Sequence, residues 1–377
     1  MQFEMSGVEP YKPALNFLQR RGANGVQIQV PNLPQITAGT TDYSLTAVLN
    51  ARAPRDVGET TCPIPMLCDG MVDSDGKKIT ITNSAIFTTG TEKRTGVCPE
   101  IGPLPEDKLI LRWGLFVNIQ LSEFLHFLTT VSWACSRDAD RYQLNGVCLE
   151  IEPTSLTAAA SNGRCLAVRE SLISPPANKL PDRPNVIISW EALDFLKKIP
   201  GGRCDIIYER IDNSSFDEYL SFRFAAHRVR IKLMTATYPA YRQVIPAGPM
   251  IPTKIMDFSF PMIPKSFYGN AVLVIEGNGT QMTGTYWEGK SDFKRTIRAN
   301  IAASPWKGRI VLDAHLFKAV FGALKKNGAF DEGACNCYLE LKDGISPCCF
   351  KHRSSAGATL MTVVLMPMRE ENNEYSE

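Results

Sequence analysis

The chain has 377 residues, of which 44% are hydrophobic and 21% charged, with a formal net charge of +2. That composition excludes a disordered chain and a uniformly basic nucleic-acid coat, and the length supports two or three domains. No apolar run approaches the roughly 20 residues of a membrane span, and the N-terminus MQFEMSGVEP lacks the basic start and apolar core of a signal peptide. The expectation is a cytoplasmic protein with no membrane contact, whose eleven cysteines are reduced thiols buried as small apolar residues.

The first third, residues 1–117, reads as mostly β. Pro13–Arg21 predicts a short helix with Leu15, Phe17 and Leu18 as its apolar positions, and it ends in Arg20 and Arg21. Strands are predicted over Val26–Val30, Tyr43–Leu49 and Lys78–Phe87, before a Pro/Gly-rich connection at Gly102–Asp107.

The middle third, 118–252, is more periodic. Phe124, Leu125, Leu128, Val131 and Trp133 predict a helix over Ser122–Ser136, with Ser122 as its N-cap. Strands are predicted at Val147–Ile151 and Leu156–Ala160, followed by the turn signal Ser161-Asn162-Gly163. Val186–Ile188 leads into Ser189 as an N-cap, and the helix Trp190–Ile199 buries Leu193 and Leu196 before stopping at Pro200-Gly201-Gly202. Further strands fall at Cys204–Tyr208, Tyr219–Phe224 and Val229–Met234.

The last third, 253–369, echoes this order. Ile310–Leu312 leads into Asp313 as an N-cap, then a helix carrying Leu316, Phe317, Val320, Phe321 and Leu324 stops at Asn327-Gly328. Both late helices end in paired lysines, Lys197-Lys198 and Lys325-Lys326, and their caps lie about one third of the chain apart, which predicts a repeated domain. Ala358–Met368 reads as a final strand, and Glu370–Glu377 as an acidic tail.

Two local patterns compete for a chemical role. Gly284–Ser291 fits the phosphate-loop spacing, but Tyr286 and Trp287 lie inside it and Phe293–Ile301 alternates like a strand, so a hairpin is the favoured reading. Cys335, Cys337, Cys348, Cys349 and His352 are spaced too closely for the usual zinc pairs and read as buried thiols. His126, His227, His315 and His352 stand in no nucleophile or metal motif, and Asp138 and Asp140 read as solvated helix-end charges, so no catalytic set, metal or cofactor is expected.

Three motifs in order carry a resemblance: Arg141-x-x-Leu144-Asn145-Gly146 leading to Gly163-Arg164-Cys165-Leu166-Ala167-Val168, then Tyr238–Pro246 (YPAYRQVIP), then Val363–Arg369 (VVLMPMR). Together they resemble the bacterial DNA polymerase III beta sliding clamp family, as a divergent member. The resemblance implies an α+β fold of three similar, sheet-rich two-helix domains: 1–117, 118–252 and 253–369, followed by the tail 370–377. It further implies a head-to-tail homodimer that closes a ring around double-stranded DNA without reading its sequence. Such a ring tethers the DNA polymerase and clamp loader through short linear motifs and does no chemistry.

Carried over by position, the partner cleft would be lined by Arg141, Leu144, Gly163, Arg164, Cys165, Leu166, Pro239, Val244, Ile345, Val364, Met366, Pro367 and Met368. A Met- and Leu-rich surface of this kind accepts several related peptides. The DNA-facing set would be Arg20, Arg21, Arg137, Tyr142, Lys197, Lys198, Lys325 and Lys326, although lysines at helix C-termini also offset the helix dipole in any protein. Three features depart from the family pattern. Arg164-Cys165 replaces the family's His-Arg, Gln243 stands where a basic residue is frequent, and Glu370 with seven further residues comes after Met-Pro-Met-Arg. A clamp-derived interaction protein without ring closure and a phosphate-loop nucleotide hydrolase are the alternatives.

Overall fold

Two-residue alternation dominates this chain, and strands accordingly outnumber helices in the computed structural model. The structure describes residues 9–23, 25–30, 35–40, 42–48, 58–63, 79–81, 86–89, 92–95, 110–152, 155–171, 185–211, 218–254, 271–288, 295–328, 337–354 and 359–369. In chain order the first elements are α1 (Lys12–Arg20), β1 (Gly25–Val30), β2 (Gln35–Gly39), β3 (Tyr43–Val48), β4 (Gly58–Pro63), β5 (Ile79–Ile81), β6 (Ile86–Thr89), β7 (Glu92–Thr95) and β8 (Ile110–Gln120). Next come α2 (Leu121–Ser132), β9 (Gly146–Ile151), β10 (Leu156–Ser161), β11 (Cys165–Ser171), β12 (Asn185–Ser189), α3 (Trp190–Leu196), β13 (Arg203–Ile211), β14 (Glu218–Arg223) and β15 (His227–Lys232). The chain continues through β16 (Ile251–Lys254), β17 (Val272–Asn278), β18 (Gln281–Glu288), β19 (Arg295–Ala303), β20 (Lys307–Asp313), α4 (Ala314–Lys326), β21 (Cys337–Leu341), β22 (Cys348–Arg353) and β23 (Thr359–Leu365). Two compact bodies result: residues 1–126 with 175–235, and residues 127–174 with 236–377.

The first body is built on an eight-stranded sheet in the order β4-β1-β2-β3-β15-β14-β13-β8. It joins the first third to the middle third through the antiparallel pair β3/β15, in the register Leu45↔Val229. Ile36, Leu45, Leu220, Phe222, Val229 and Ile231 are buried with Leu15 and Leu18 of α1 and Leu193 and Phe195 of α3. Phe17 stacks on Phe195 at 5.1 Å, and Phe124 lies 6.0 Å from Phe222, so aromatic pairs fasten the helices.

At the edge of this core Tyr11 Oη lies 3.2 Å from His227 Nδ1, and Phe224 stacks on the same imidazole at 4.0 Å. Burial lowers the His227 pKa from 6.5 to about 4. The folded state therefore binds fewer protons than the unfolded chain between these values, so stability is full above pH 6.5 and is lost as pH falls toward 4. Denaturant titrations at pH 7.5, 5.5 and 4.5 should show that loss (about these pH values), and His227→Gln should remove its histidine component.

The second body holds strands in the order β9-β10-β11-β23-β22-β21-β16 and a separate four-stranded sheet, β19-β18-β17-β20. Here the middle third joins the last third through the antiparallel pair β11/β23, in the register Leu166↔Val364. Asp313 accepts from the amides of His315 (2.9 Å) and Leu316 (3.1 Å), capping α4 as its sequence predicts. Phe317 and Phe321 of α4 meet Phe350 of β22 at 5.6 and 5.8 Å. Trp306, fully buried, fills the space beside Gly277, where an added Cβ would come within 2.6 Å of the indole ring.

Several boundaries differ from the sequence expectation. The helix expected from Ser122 begins at Leu121, directly after β8, and the Leu121 amide donates to the Gly202 carbonyl at 2.9 Å. With that amide satisfied by a neighbouring loop, Ser122 lies inside the first turn rather than capping it. The helix also ends at Ser132, not Ser136, because Ala134 and Cys135 turn back onto Val131 and Ser132. Similar tight bonds from Lys198 to Phe195 and from Ile199 to Leu196 end α3 at Leu196. The single strand expected over Lys78–Phe87 is the antiparallel pair β5/β6, since the apolar alternation changes phase between Ile81 and Ile86. Gly102–Asp107, Cys335 and the tail from Glu370 lie outside the described residues.

Candidate functional site

The site is assembled in the second body from three separate stretches. The first is the turn between β10 and β11. Gly163 has φ +84°, which favours glycine, and the Asn162 side-chain oxygen accepts from the amides of Arg164 and Cys165, both at 2.9 Å. Arg141 Nη1 donates to the Asn162 carbonyl at 2.6 Å and stands where a Gly163 side chain would have to go. Asp138 caps the helical turn Ala139–Leu144 that carries Arg141, and the Leu144 carbonyl accepts from Ser136 at 3.0 Å. Arg141, Leu144, Gly163 and Arg164 are thus fixed around one turn.

The second stretch is the C-terminal strand and the residues just beyond it. β23 ends at Leu365, opposite Cys165. The Met366 amide then donates to the Arg164 carbonyl at 2.9 Å, and the Met368 amide to the Val311 carbonyl of β20 at 2.8 Å. The extended run expected as far as Met368 is therefore strand only to Leu365, because its last amides leave the sheet for other elements.

Two residues along β20, the Arg309 carbonyl packs against Gly344, where a Cβ could not fit. That contact sets the third stretch, the loop bearing Ile345. Asp343 accepts from Ile345 N at 3.0 Å and from Ser346 N and Oγ at 2.5 and 2.9 Å, bonds that hold its carboxyl below the usual range. Ile345 is 87% exposed, Met368 39% and Val244 38%, and large apolar side chains at such exposures lie open to a partner.

The lining expected from the sequence therefore divides into two layers. Arg141, Gly163, Arg164, Pro239, Val244, Ile345 and Met368 are exposed, and Leu144, Met366 and Pro367 are half-buried. Cys165, Leu166 and Val364 are buried at 3% exposure or less, so they form the floor under the turn rather than its surface. Burial pushes the Cys165 thiol up to about 12, which keeps it an inert packing group.

Sequence reasoning missed Tyr238 and Tyr241, which anchor the segment bearing Pro239 and Val244. Both are buried, with their rings 6.1 Å apart and edge-on, and burial raises both phenols. Arg242 pairs with Glu150 of β9 at 2.5 Å and ties that segment to the sheet. Two tyrosines three positions apart inside one motif were the available signal.

The basic residues are distributed over both bodies. In the first, Arg21 meets Glu191 at 3.4 Å, Lys197 meets Asp194 at 2.9 Å, and Lys198 donates to the Asp194 carbonyl with its ammonium 5.2 Å from the Phe17 ring centroid. Arg20 is exposed in the last turn of α1. In the second, Lys325 and Lys326 are exposed at the end of α4, with Arg137 and Tyr142 exposed around the turn that carries Arg141.

The phosphate-loop spacing is not a loop where the structure describes it. Gly284 pairs with Ile275 on one side and Ala299 on the other, so its backbone lies inside the sheet. Gly289–Ser291 lie outside the described residues. Cys337 stands opposite His352 on neighbouring strands, and Cys348 and Cys349 are buried on β22.

Comparison with known proteins agrees with this architecture. Residues 118–240 match the family model of the DNA polymerase III beta subunit, central domain. No curated protein matches the sequence. Among solved structures, the Bartonella birtlesii DnaN sliding clamp bound to griselimycin is 20% identical, with a TM-score of 0.70 over 98% of this chain and 100% of that one. The Pseudomonas aeruginosa DNA polymerase III subunit beta is 16% identical, with a TM-score of 0.75 over 97% and 100%. The Helicobacter pylori beta clamp bound to a DNA ligase peptide is 12% identical, with a TM-score of 0.72 over 98% and 100%. The chain thus has the beta-clamp fold along nearly its whole length. Over residues 118–240 its sequence is similar to the DNA polymerase III beta subunit central domain.

Proposed function

We propose that this chain is a DNA sliding clamp, a processivity factor of the cytoplasm that holds a DNA polymerase on its template and performs no chemistry. The observation that carries this reading is the hydrogen-bonded path Asn162–Arg164–Met366–Met368–Val311. It gathers the turn, the C-terminal run and the Ile345 loop into one surface with exposed apolar side chains over a buried floor. Such a surface suits a short peptide with apolar anchors, and Arg141 and Arg164 at its edge suit an acidic group on that peptide. A similarly folded clamp binds a DNA ligase peptide.

In this reading the domains are 1–117, 118–252 and 253–369, two chains close head to tail, and the ring tracks duplex DNA through non-specific phosphate contacts. Arg20, Arg21, Arg137, Tyr142, Lys197, Lys198, Lys325 and Lys326 are the proposed DNA-facing residues. The clamp loader and polymerase share the cleft. Light scattering over a concentration series should give a stable mass of twice 41.8 kDa. The chain loaded on a nicked circular plasmid should then be released when the plasmid is linearised. A monomer at every concentration would replace the ring with the second reading, a clamp-derived interaction protein without ring closure, which the divergent first third and the acidic run from Glu370 favour.

A further inference from the structure

At the far end of β11 and β23 from the peptide surface, the second body contains a cavity of about 400 Å³, lined by residues of these two strands together with Ser155, Asn327 and His352. Strand registers place Arg169 opposite Met361, and Met361 opposite His352, so the three side chains form a row across one face of the sheet. Above the row, the guanidinium Nη1 of Arg169 donates to Thr130 Oγ1 at 2.5 Å and to Asn327 Oδ1 at 3.0 Å. The Phe127 ring lies 5.6 Å away. Asn327 is fixed in turn by its own bond to the Ala323 carbonyl at 2.7 Å.

The cation is therefore half-buried and held by two neutral oxygens, and among the described residues no carboxylate pairs with it. Glu170 borders the cavity as the next residue of the strand, but its exposed side chain lies on the opposite face, towards Arg242. A partly desolvated guanidinium gains most from an anion that accepts from the donors the protein leaves unbonded. Here Nη1 is engaged, and Nε and Nη2 have no hydrogen-bond partner among the described residues. Ser171, Thr359, Leu360, Met361 and Ser155, whose hydroxyl donates to Glu152 at 3.0 Å, complete a small mixed wall.

We propose that this cavity is a binding site for a small oxyanion, a phosphate or carboxylate group on a compact body, with Arg169 as its principal ligand. The volume lies at the low end of small-molecule sites, which excludes a large cofactor. This site is separate from the peptide surface and does not depend on the clamp reading. A competing account is that Arg169 only neutralises the negative ends of α2 and α4, whose last turns carry Thr130 and precede Asn327.

The test is calorimetric titration of the full chain with inorganic phosphate, with chloride holding ionic strength constant. We expect saturable heat with one site per chain. Arg169→Gln should weaken binding at least tenfold, and Leu360→Trp at the exposed rim should do the same without moving the unfolding midpoint. No saturable heat in the unaltered chain, or heat that Arg169→Gln leaves unchanged, would overturn the proposal. The phosphate could also come from nucleic acid. If free phosphate gives no heat and Arg169→Gln weakens retention on duplex DNA, Arg169 contacts the DNA backbone and the small-ligand site is wrong.

Discussion

Replacing Ile345 and Met368 together by aspartate is expected to weaken capture of an apolar clamp-partner peptide by ~100-fold or more, about 2.7 kcal/mol. Both side chains are exposed, so neither substitution opens a cavity or strands a buried charge, and the unfolding midpoint should stay within the small range typical of surface changes. The loss arises in the complex. Each carboxylate would have to be desolvated against the peptide's apolar anchors, and the two sit on separate loops flanking β20. Fluorescence anisotropy with a labelled peptide measures the effect. Unchanged affinity in the double variant, with the fold intact by circular dichroism, would remove this surface as the cleft. A milder companion is Gly344→Ala, which leaves every side chain of the surface in place. It forces the Arg309 carbonyl aside, so affinity should fall because the Ile345 loop moves.

Trp306→Ala should produce a large loss of stability, ~3–5 kcal/mol for emptying a fully buried indole site. Trp306 fills the space beside Gly277, its carbonyl accepts from Gly279 at 3.0 Å, and the next residue begins β20. The damage should therefore be local first. Hydrogen exchange should rise across Val272–Asn278 and Lys307–Asp313, while the β3/β15 sheet of the first body keeps its protection. Because β20 supplies the Val311 carbonyl to Met368 and the Arg309 carbonyl beside Gly344, peptide affinity should fall in the same variant. Trp306→Phe should recover most of both, since it refills most of the volume and the indole nitrogen has no hydrogen-bond partner to lose among the described residues. Uniform loss of protection in both bodies would contradict this picture.

Much of the site was legible in the sequence, and what was missed has a common cause. The turn at Asn162-Gly163 and the cap at Asp313 are local devices, in which one side chain satisfies amides two or three residues away, so spacing alone identifies them. The Leu121 helix start was misplaced because its first amide is satisfied by Gly202, 81 positions away by numbering. The expected cleft residue Val364 is apolar and in the right motif, yet it is covered by its cross-strand neighbours and is 1% exposed. Alternation shows that one face of a strand is buried but not what lies over it.

By itself, the sequence determined the helices ending near Arg20, Lys197 and Lys326, the caps at Ser189 and Asp313 and the turn at Asn162-Gly163, because each rests on interactions within a few residues. Only the tertiary structure decided which strands join the thirds into sheets, which motif residues form floor and which form surface, and that Arg169 stands beside a cavity without a carboxylate partner among the described residues. Those depend on pairings between residues 150 to 200 positions apart, such as Leu166 with Val364 and Leu45 with Val229. Such pairings form when apolar faces from distant segments leave water together, and no local pattern records which two segments will meet.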